Sequence, residues 1–142
     1  MRFVDTNVLL YSLSTDESEE EKAAVARELL READLCLSAQ VLQEFYVQAT
    51  HSSRPGSISV EEALSLIDSW RRYPIQETTV GLVTRAANAS LRWRISYWDA
   101  AIVEAARAGG CTQLITEDLN DGQDFDGVRV VNPFKDKRST ST

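Results

Sequence analysis

Four acids stand out by position: Asp5, Glu44, Asp99 and Asp118. Asp5 directly follows the short apolar run Arg2-Phe3-Val4, and Asp118 lies two residues past the run Gln113-Leu114-Ile115-Thr116. If those runs are neighbouring parallel strands, both carboxylates stand beyond the carboxyl edge of one sheet, where open α/β sheets bind ligands. Asp99 falls in Tyr97-Trp98-Asp99-Ala100-Ala101-Ile102, the first turn of an apolar helix that leaves it little aqueous surrounding. Glu44 borders the apolar face of a helix that follows a second strand. Acids gathered in this way repel one another, which raises their pKa values. A divalent cation removes the conflict, and carboxylate oxygens with retained waters are what Mg²⁺ or Mn²⁺ prefers. Such an ion can acidify an attacking water and stabilise charge on a phosphate. The chain offers no credible Ser, His or Cys nucleophile, so metal-assisted hydrolysis is the chemistry its residues best supply.

Each acid also has a purely structural reading. Asp5 can cap the helix that follows it. Glu44 can be solvated beside Gln40, Gln43 and Gln48. Asp99 stands at capping-box spacing from Ser96, where an acid also complements the helix dipole. Asp118 can be an ordinary turn residue in Glu117-Asp118-Leu119-Asn120-Asp121-Gly122. The functional reading rests on their joint order and placement.

The elements that must position them alternate. Strands are predicted at Arg2 to Val4, Leu35 to Leu37, Ile75 to Thr78, Gln113 to Thr116 and Val128 to Val131. Between them fall helices predicted from about Thr6, from Ser18 to about Glu32, from Ala39 to about Thr50, up to Trp70, from about Thr79 to Trp93, and from Tyr97 to Ala108. Ser18 with Glu21 and Ser59 with Glu62 have capping-box spacing, Ser38 and Ser96 are single caps, and Gly109-Gly110 is a helix stop. Short apolar strands alternating with helices predict an α/β sandwich with a mainly parallel sheet. One domain over residues 1–134 is expected, followed by a polar tail from 135 to 142.

At 142 residues, 43% hydrophobic and 26% charged, the chain has ordinary globular usage. No apolar run reaches membrane-spanning length, and Asp5 comes too early for the apolar region of a signal peptide, so a soluble cytoplasmic protein is expected. Cys36 and Cys111 read as buried free thiols. One histidine, His51, and two separated cysteines cannot supply the usual zinc sets. The net charge of −7 argues against broad passive binding of nucleic acid, although Arg71, Arg72, Arg92 and Arg94 form two basic pairs.

In its motifs the chain resembles the PIN-domain family. Phe3-Val4-Asp5-Thr6-Asn7-Val8-Leu9 resembles the family's opening strand and first motif, and Ser38-Ala39-Gln40-Val41-Leu42-Gln43-Glu44-Phe45 the second. Ser96-Tyr97-Trp98-Asp99-Ala100-Ala101-Ile102 resembles the third, and Leu114-Ile115-Thr116-Glu117-Asp118-Leu119 with Gly122-Gln123 the fourth. Asn132-Pro133-Phe134 after the last strand also fits the pattern. Within the family the likeness is to VapC-type toxins of toxin–antitoxin pairs. The resemblance implies a three-layer sandwich with a five-stranded, mainly parallel sheet flanked by helices. It also implies a Mg²⁺- or Mn²⁺-dependent endoribonuclease acting on tRNA, rRNA or mRNA, a homodimer, and a small antitoxin whose C-terminal segment blocks the acidic site. Carried over by position, Asp5, Glu44, Asp99 and Asp118 would bind metal and catalyse. Thr6 and Thr116 would be hydroxyl supports and Asn7 an outer support. Asp121 flanks the fourth motif as an alternative to Asp118. Arg92 and Arg94 either contact the RNA backbone or form a solvated pair at a helix end. Trp70, Trp93 and Trp98 either stack on bases or, for at least two of them, pack in the core or against a second copy.

A haloacid-dehalogenase-type phosphatase would need a second aspartate two residues after the first, where this chain has Asn7. A receiver domain would need an acidic pair before its first loop and a late pocket lysine. A PIN-fold module that binds RNA or protein without cleaving is the non-enzymatic alternative. A broader basic face would be expected of it.

Overall fold

The computed structural model describes residues 1–135, so the polar tail expected at 136–142 lies outside the described residues. Strand β1 (Arg2–Val4) lies inside a six-stranded sheet with β2 (Leu35–Ser38), β3 (Ile75–Gln76), β4 (Gln113–Ile115), β5 (Asp124–Phe125) and β6 (Val128–Val131). The order is β3-β2-β1-β4-β6-β5, parallel throughout except for the β5–β6 pair. The five expected strands all form. The sixth, β5, was not anticipated. It makes a hairpin with β6 whose two-residue turn, Asp126-Gly127, has positive φ at both positions (52° and 97°). That is the backbone of a type I′ turn, which an Asp-Gly pair favours.

Helices α1 (Thr6–Tyr11), α2 (Glu20–Leu29), α3 (Ala39–Ala49) and α4 (Val60–Trp70) occupy the connections from β1 to β3. Helices α5 (Val80–Trp93) and α6 (Tyr97–Ala108) connect β3 back across the sheet to β4. Parallel crossovers are right-handed, so reversing their direction along the sheet places the two helix groups on opposite faces. Packing agrees: α1 packs on α2 and α3, α3 on α4, and α5 on α6. The core fills the space between these layers with Phe3, Leu35, Leu37, Leu114, Val128 and Val130 from the strands and Val8, Leu9, Val41, Phe45 and Val103 from the helices.

Local chemistry explains the helix limits. The Ser59–Glu62 capping box forms in both directions. Ser38, Thr79 and Ser96 each accept the N–H three residues on. Helix α6 ends in a Schellman motif: Gly110 (φ 77°) turns the chain, Cys111 N–H bonds Ala106 O at 2.9 Å, and Gly110 N–H bonds Arg107 O at 3.0 Å. The expected Ser18 cap is corrected. Asp16 accepts the Ser18 N–H at 2.9 Å and opens a 3₁₀ turn at Glu17–Glu19, so α2 begins only at Glu20. A carboxylate two residues before the N–H it accepts from makes a tighter turn than a serine cap, and it wins here.

The hairpin is pinned from α6. Arg107 pairs with the buried Glu104 (3.2 Å) and donates to the carbonyls of Asp126 (2.7 Å) and Phe125 (2.6 Å). Arg107→Ala leaves a buried carboxylate and two carbonyls without their donor. It is expected to cost about 3 kcal/mol, read as a lower urea midpoint at unchanged slope. A shift under about 1 kcal/mol would show that the pair contributes no more than a surface bridge. Cys36 and Cys111 are free and buried, as expected. Among the described residues no helix is long and apolar enough to cross a membrane.

Candidate active site

Connections leave β1 toward β2 and later return to its other side as β4, so β1 and β4 flank the point where the winding reverses. Crevices form at such a point beyond the carboxyl ends of the strands. Val4 is in register with Ile115, and Asp5 N–H bonds Ile115 O at 3.0 Å, which sets Asp5 and Thr116 side by side at that edge.

A small cleft of about 110 Å³ opens there, and Asp5, Glu44, Asp99 and Asp118 all line it. Asp5 both caps α1 and lines the cleft, so its two sequence readings are compatible. Its Oδ1 accepts the Thr6 N–H at 2.7 Å and its Oδ2 accepts the Thr116 hydroxyl at 2.9 Å. Thr116 Oγ1 in turn accepts from Asn7 Nδ2 (2.9 Å) and from the Asp118 N–H (3.1 Å). A hydroxyl has one proton and two acceptor positions, so these three bonds saturate it and commit its proton to Asp5. Asn7 Nδ2 also lies 3.1 Å from Asp118 Oδ2 and orients that carboxylate.

The other two acids arrive from the helices. Ser96 Oγ accepts the Asp99 N–H at 3.0 Å, which fixes the first turn of α6 and leaves Asp99 on the cleft wall. Asp99 is half-buried rather than shut away from water, because that turn faces the cleft. Glu44 Oε1 accepts from Gln40 Nε2 at 2.7 Å, and the same nitrogen reaches Trp98 O at 3.3 Å. Gln40 thereby ties α3 to the start of α6 and places Glu44. From sequence Gln40 is only a polar neighbour beside which Glu44 can be solvated, although its spacing of four residues from Glu44 on one helix is a usable signal.

The fourth motif carries three acids, and the fold separates them. Glu117 accepts from Tyr11 Oη and pairs with Lys22 at 2.9 Å. Asp121 accepts the Asn132 N–H at 2.9 Å, which holds its carboxyl below the usual carboxylate range, and sits 3.3 Å from Lys135. Only Asp118 reaches the cleft, so Asp121 is not one of its supports. Nor are Arg92 and Arg94 brought to it. Arg92 pairs with Asp126 at 2.6 Å over the Trp93 ring, and Arg94 is the left-handed residue ending α5.

Asp5 is 8% exposed, and its carboxyl is pushed up to about 6. Burial is the largest cause. The bonds from Thr6 and Thr116 oppose it, and the charges of Asp118 and Glu44 add the smallest upward contributions. Repulsion among the acids, the cause anticipated from sequence, is therefore secondary to desolvation. Two further oxygens at the cleft, Thr6 Oγ1 and Asn7 Oδ1, are buried without a partner. Buried oxygens of this kind call for water or a cation. Among the described residues no three ligand-type side chains already form a closed group around one ion, so the carboxylates line the walls without converging. The donor set is carboxylate, hydroxyl and amide oxygen, with no sulfur or imidazole. It fits a hard divalent cation such as Mg²⁺ or Mn²⁺.

The fold and site together define an α/β protein with an acidic, oxygen-lined cleft at the reversal point of its sheet. The chain belongs to the PIN-domain family, which matches residues 2–126. No curated protein matches the sequence significantly. Among solved structures the chain is similar to a toxin–antitoxin complex from Klebsiella pneumoniae, at 18% identity over 94% of this chain and 98% of that one, with a TM-score of 0.69. It is also similar to VapC20 of Mycobacterium tuberculosis, a sarcin-ricin loop cleaving toxin, at 18% identity over 80% and 87% of the two chains and a TM-score of 0.64. A DNA-bound VapBC from Salmonella typhimurium gives 18% identity over 91% and 95%, with a TM-score of 0.62. Identities this low establish the shared PIN fold.

Proposed function

We propose that this chain is a metal-dependent endoribonuclease, a single catalytic domain over residues 1–134, acting as the toxin of a type II toxin–antitoxin pair in the cytoplasm. The observation that carries this reading is the meeting of Asp5, Glu44, Asp99 and Asp118 on one small oxygen-lined cleft. The family membership and the loop-cleaving activity of the similar mycobacterial toxin support it. Asp5, Asp99 and Asp118, assisted by Glu44, would hold Mg²⁺ or Mn²⁺. When bound, the ion supplies Lewis acidity toward a phosphodiester and toward water.

The chain's own residues prepare for that. Thr6 N–H and the Thr116 hydroxyl fix both oxygens of Asp5, so the carboxylate needs no reorganisation at the moment of reaction. Asn7 steers Asp118 and Gln40 steers Glu44. Leu10 and Ile102 wall the cleft and limit water. Hydrolysis by water leaves a 5′-phosphate and a 3′-hydroxyl. A small antitoxin whose C-terminal segment covers the acidic cleft would silence the enzyme. A homodimer is supported by the face of α5, where Val80, Val83 and Leu91 are exposed along one side.

The test is cleavage of total RNA by purified, antitoxin-free protein in Mg²⁺, Mn²⁺ or EDTA, with Asp99→Ala as the control for contaminating nuclease. Discrete fragments with 5′-phosphate ends that require metal and vanish in the variant are expected. A 2′,3′-cyclic phosphate product, or cleavage that persists in EDTA, would refute the mechanism.

A further inference from the structure

The three tryptophans have different settings. Trp70 is buried edge-on against Phe45, and Trp93 packs edge-on against Phe125. Trp98 is 67% exposed, yet it lines the acidic cleft beside Asp99. Its backbone is tied to α3, where its carbonyl accepts from Gln40, and its ring lies edge-to-face with Tyr97 at 5.1 Å. Core packing does not explain an indole held this way in water. The cleft itself, about 110 Å³, is far smaller than the roughly 300 Å³ at the low end of small-molecule pockets. A phosphodiester fits such a space, whereas its base must stay at the rim, where the indole stands. Apart from a bound cation, the acidic walls offer the phosphate backbone little attraction, so stacking is the favourable contact the chain's own side chains give a nucleotide.

We propose that Trp98 is the stacking platform for an unpaired base next to the scissile phosphate. The proposal rests on the ribonuclease reading. In a duplex both faces of a base are covered by its neighbours, so an unpaired base is the one that can splay onto an aromatic ring.

The test compares wild type, Trp98→Ala and Trp98→Phe on an unpaired oligoribonucleotide and on a blunt duplex of the same sequence. Binding is read by fluorescence anisotropy in EDTA and cleavage kinetics in Mn²⁺, with the mass of each protein followed by sedimentation. Wild type is expected to prefer the unpaired strand. Trp98→Ala should weaken that preference by roughly 5- to 150-fold, the range one base–aromatic stack is worth. In the kinetic arm the loss should fall on KM more than on kcat, and Trp98→Phe should recover most of it. Unchanged affinity and KM in Trp98→Ala, or an equal loss on the duplex, overturns the proposal. So does a loss that tracks a fall in mass, which would make the indole a contact between copies. If wild type cleaves RNA and Trp98→Ala behaves identically, the stacking role alone fails. If wild type neither binds nor cleaves RNA, the ribonuclease reading fails with it.

Discussion

Asp5→Asn is expected to remove cleavage by more than roughly 100-fold, as loss of a ligand of the proposed ion should, while making the metal-free protein more stable at neutral pH. The sign follows from the raised carboxyl. Asp5 titrates near 6 in the fold against an ordinary 3.8, so the folded state favours the protonated form. Stability is full below about pH 4 and is lost as pH rises through about 6. Above that, holding the buried carboxylate costs about 2–3 kcal/mol at 1.36 kcal/mol per unit. Asparagine keeps an oxygen for the Thr6 N–H and carries no charge to desolvate, a gain larger than the loss of about 1 kcal/mol from the Thr116 hydroxyl bond that its amide nitrogen forfeits. In EDTA at pH 7.5 its melting temperature should exceed wild type by roughly 5 °C or more, and the gap should close as the pH falls toward 4. Saturating Mg²⁺ or Mn²⁺ should reverse the order, because only wild type gains from the ion. A variant that melts below wild type at pH 7.5 without metal would mean that burial of Asp5 does not strain the fold.

Thr116→Val is the second large effect. Valine nearly matches the shape of threonine, so the loss isolates the hydroxyl. Three bonds are lost together, those to Asp5 Oδ2, the Asp118 N–H and Asn7 Nδ2, the last of which keeps Asp118 Oδ2. The cost expected is about 2–3 kcal/mol for leaving buried polar groups unpaired. The Thr116 bond also holds the Asp5 carboxyl down against burial. Without it Asp5 titrates higher, and the acid limb of the pH–rate profile should move to higher pH. Thr116→Ser, which keeps the hydroxyl, should restore both properties. A Thr116→Val protein with the wild-type pH profile would show that Asp5 need not ionise for turnover.

The regular parts of this molecule were legible because their signals are local. Ser38, Ser59 and Ser96 cap the helices they precede, and Gly110 ends α6. The order of the four acids could be read for the same reason, since each sits at a strand or helix end. What distance decides was not readable. Asp118 and Asp121 lie in one turn, and only the pairing of Asp121 with Asn132 and Lys135, set by the path after β6, sends the second away. Arg92 meets Asp126 across 34 positions because the hairpin folds against α5. Burial of Asp5 by the layers on either side, its largest perturbation, has no signature in its neighbours in the chain. The Asp126-Gly127 turn is different. Its dipeptide was in plain view, and β5 escaped because two residues are too few to show an alternating pattern.

Those two residues have a further consequence. Both margins of the sheet are short: β3 spans Ile75–Gln76 and β5 spans Asp124–Phe125. An open strand is a template on which another chain can add itself, and its hazard grows with its length and flatness. Here the longer apolar strands are enclosed. One rim begins at Pro74, which has no N–H to offer, and the other carries Asp124 and turns back at once through Asp126-Gly127. A foreign strand would find only a few backbone groups at either side before the register ends. Growth by adding strands at either margin would therefore have to begin from an unfolded state.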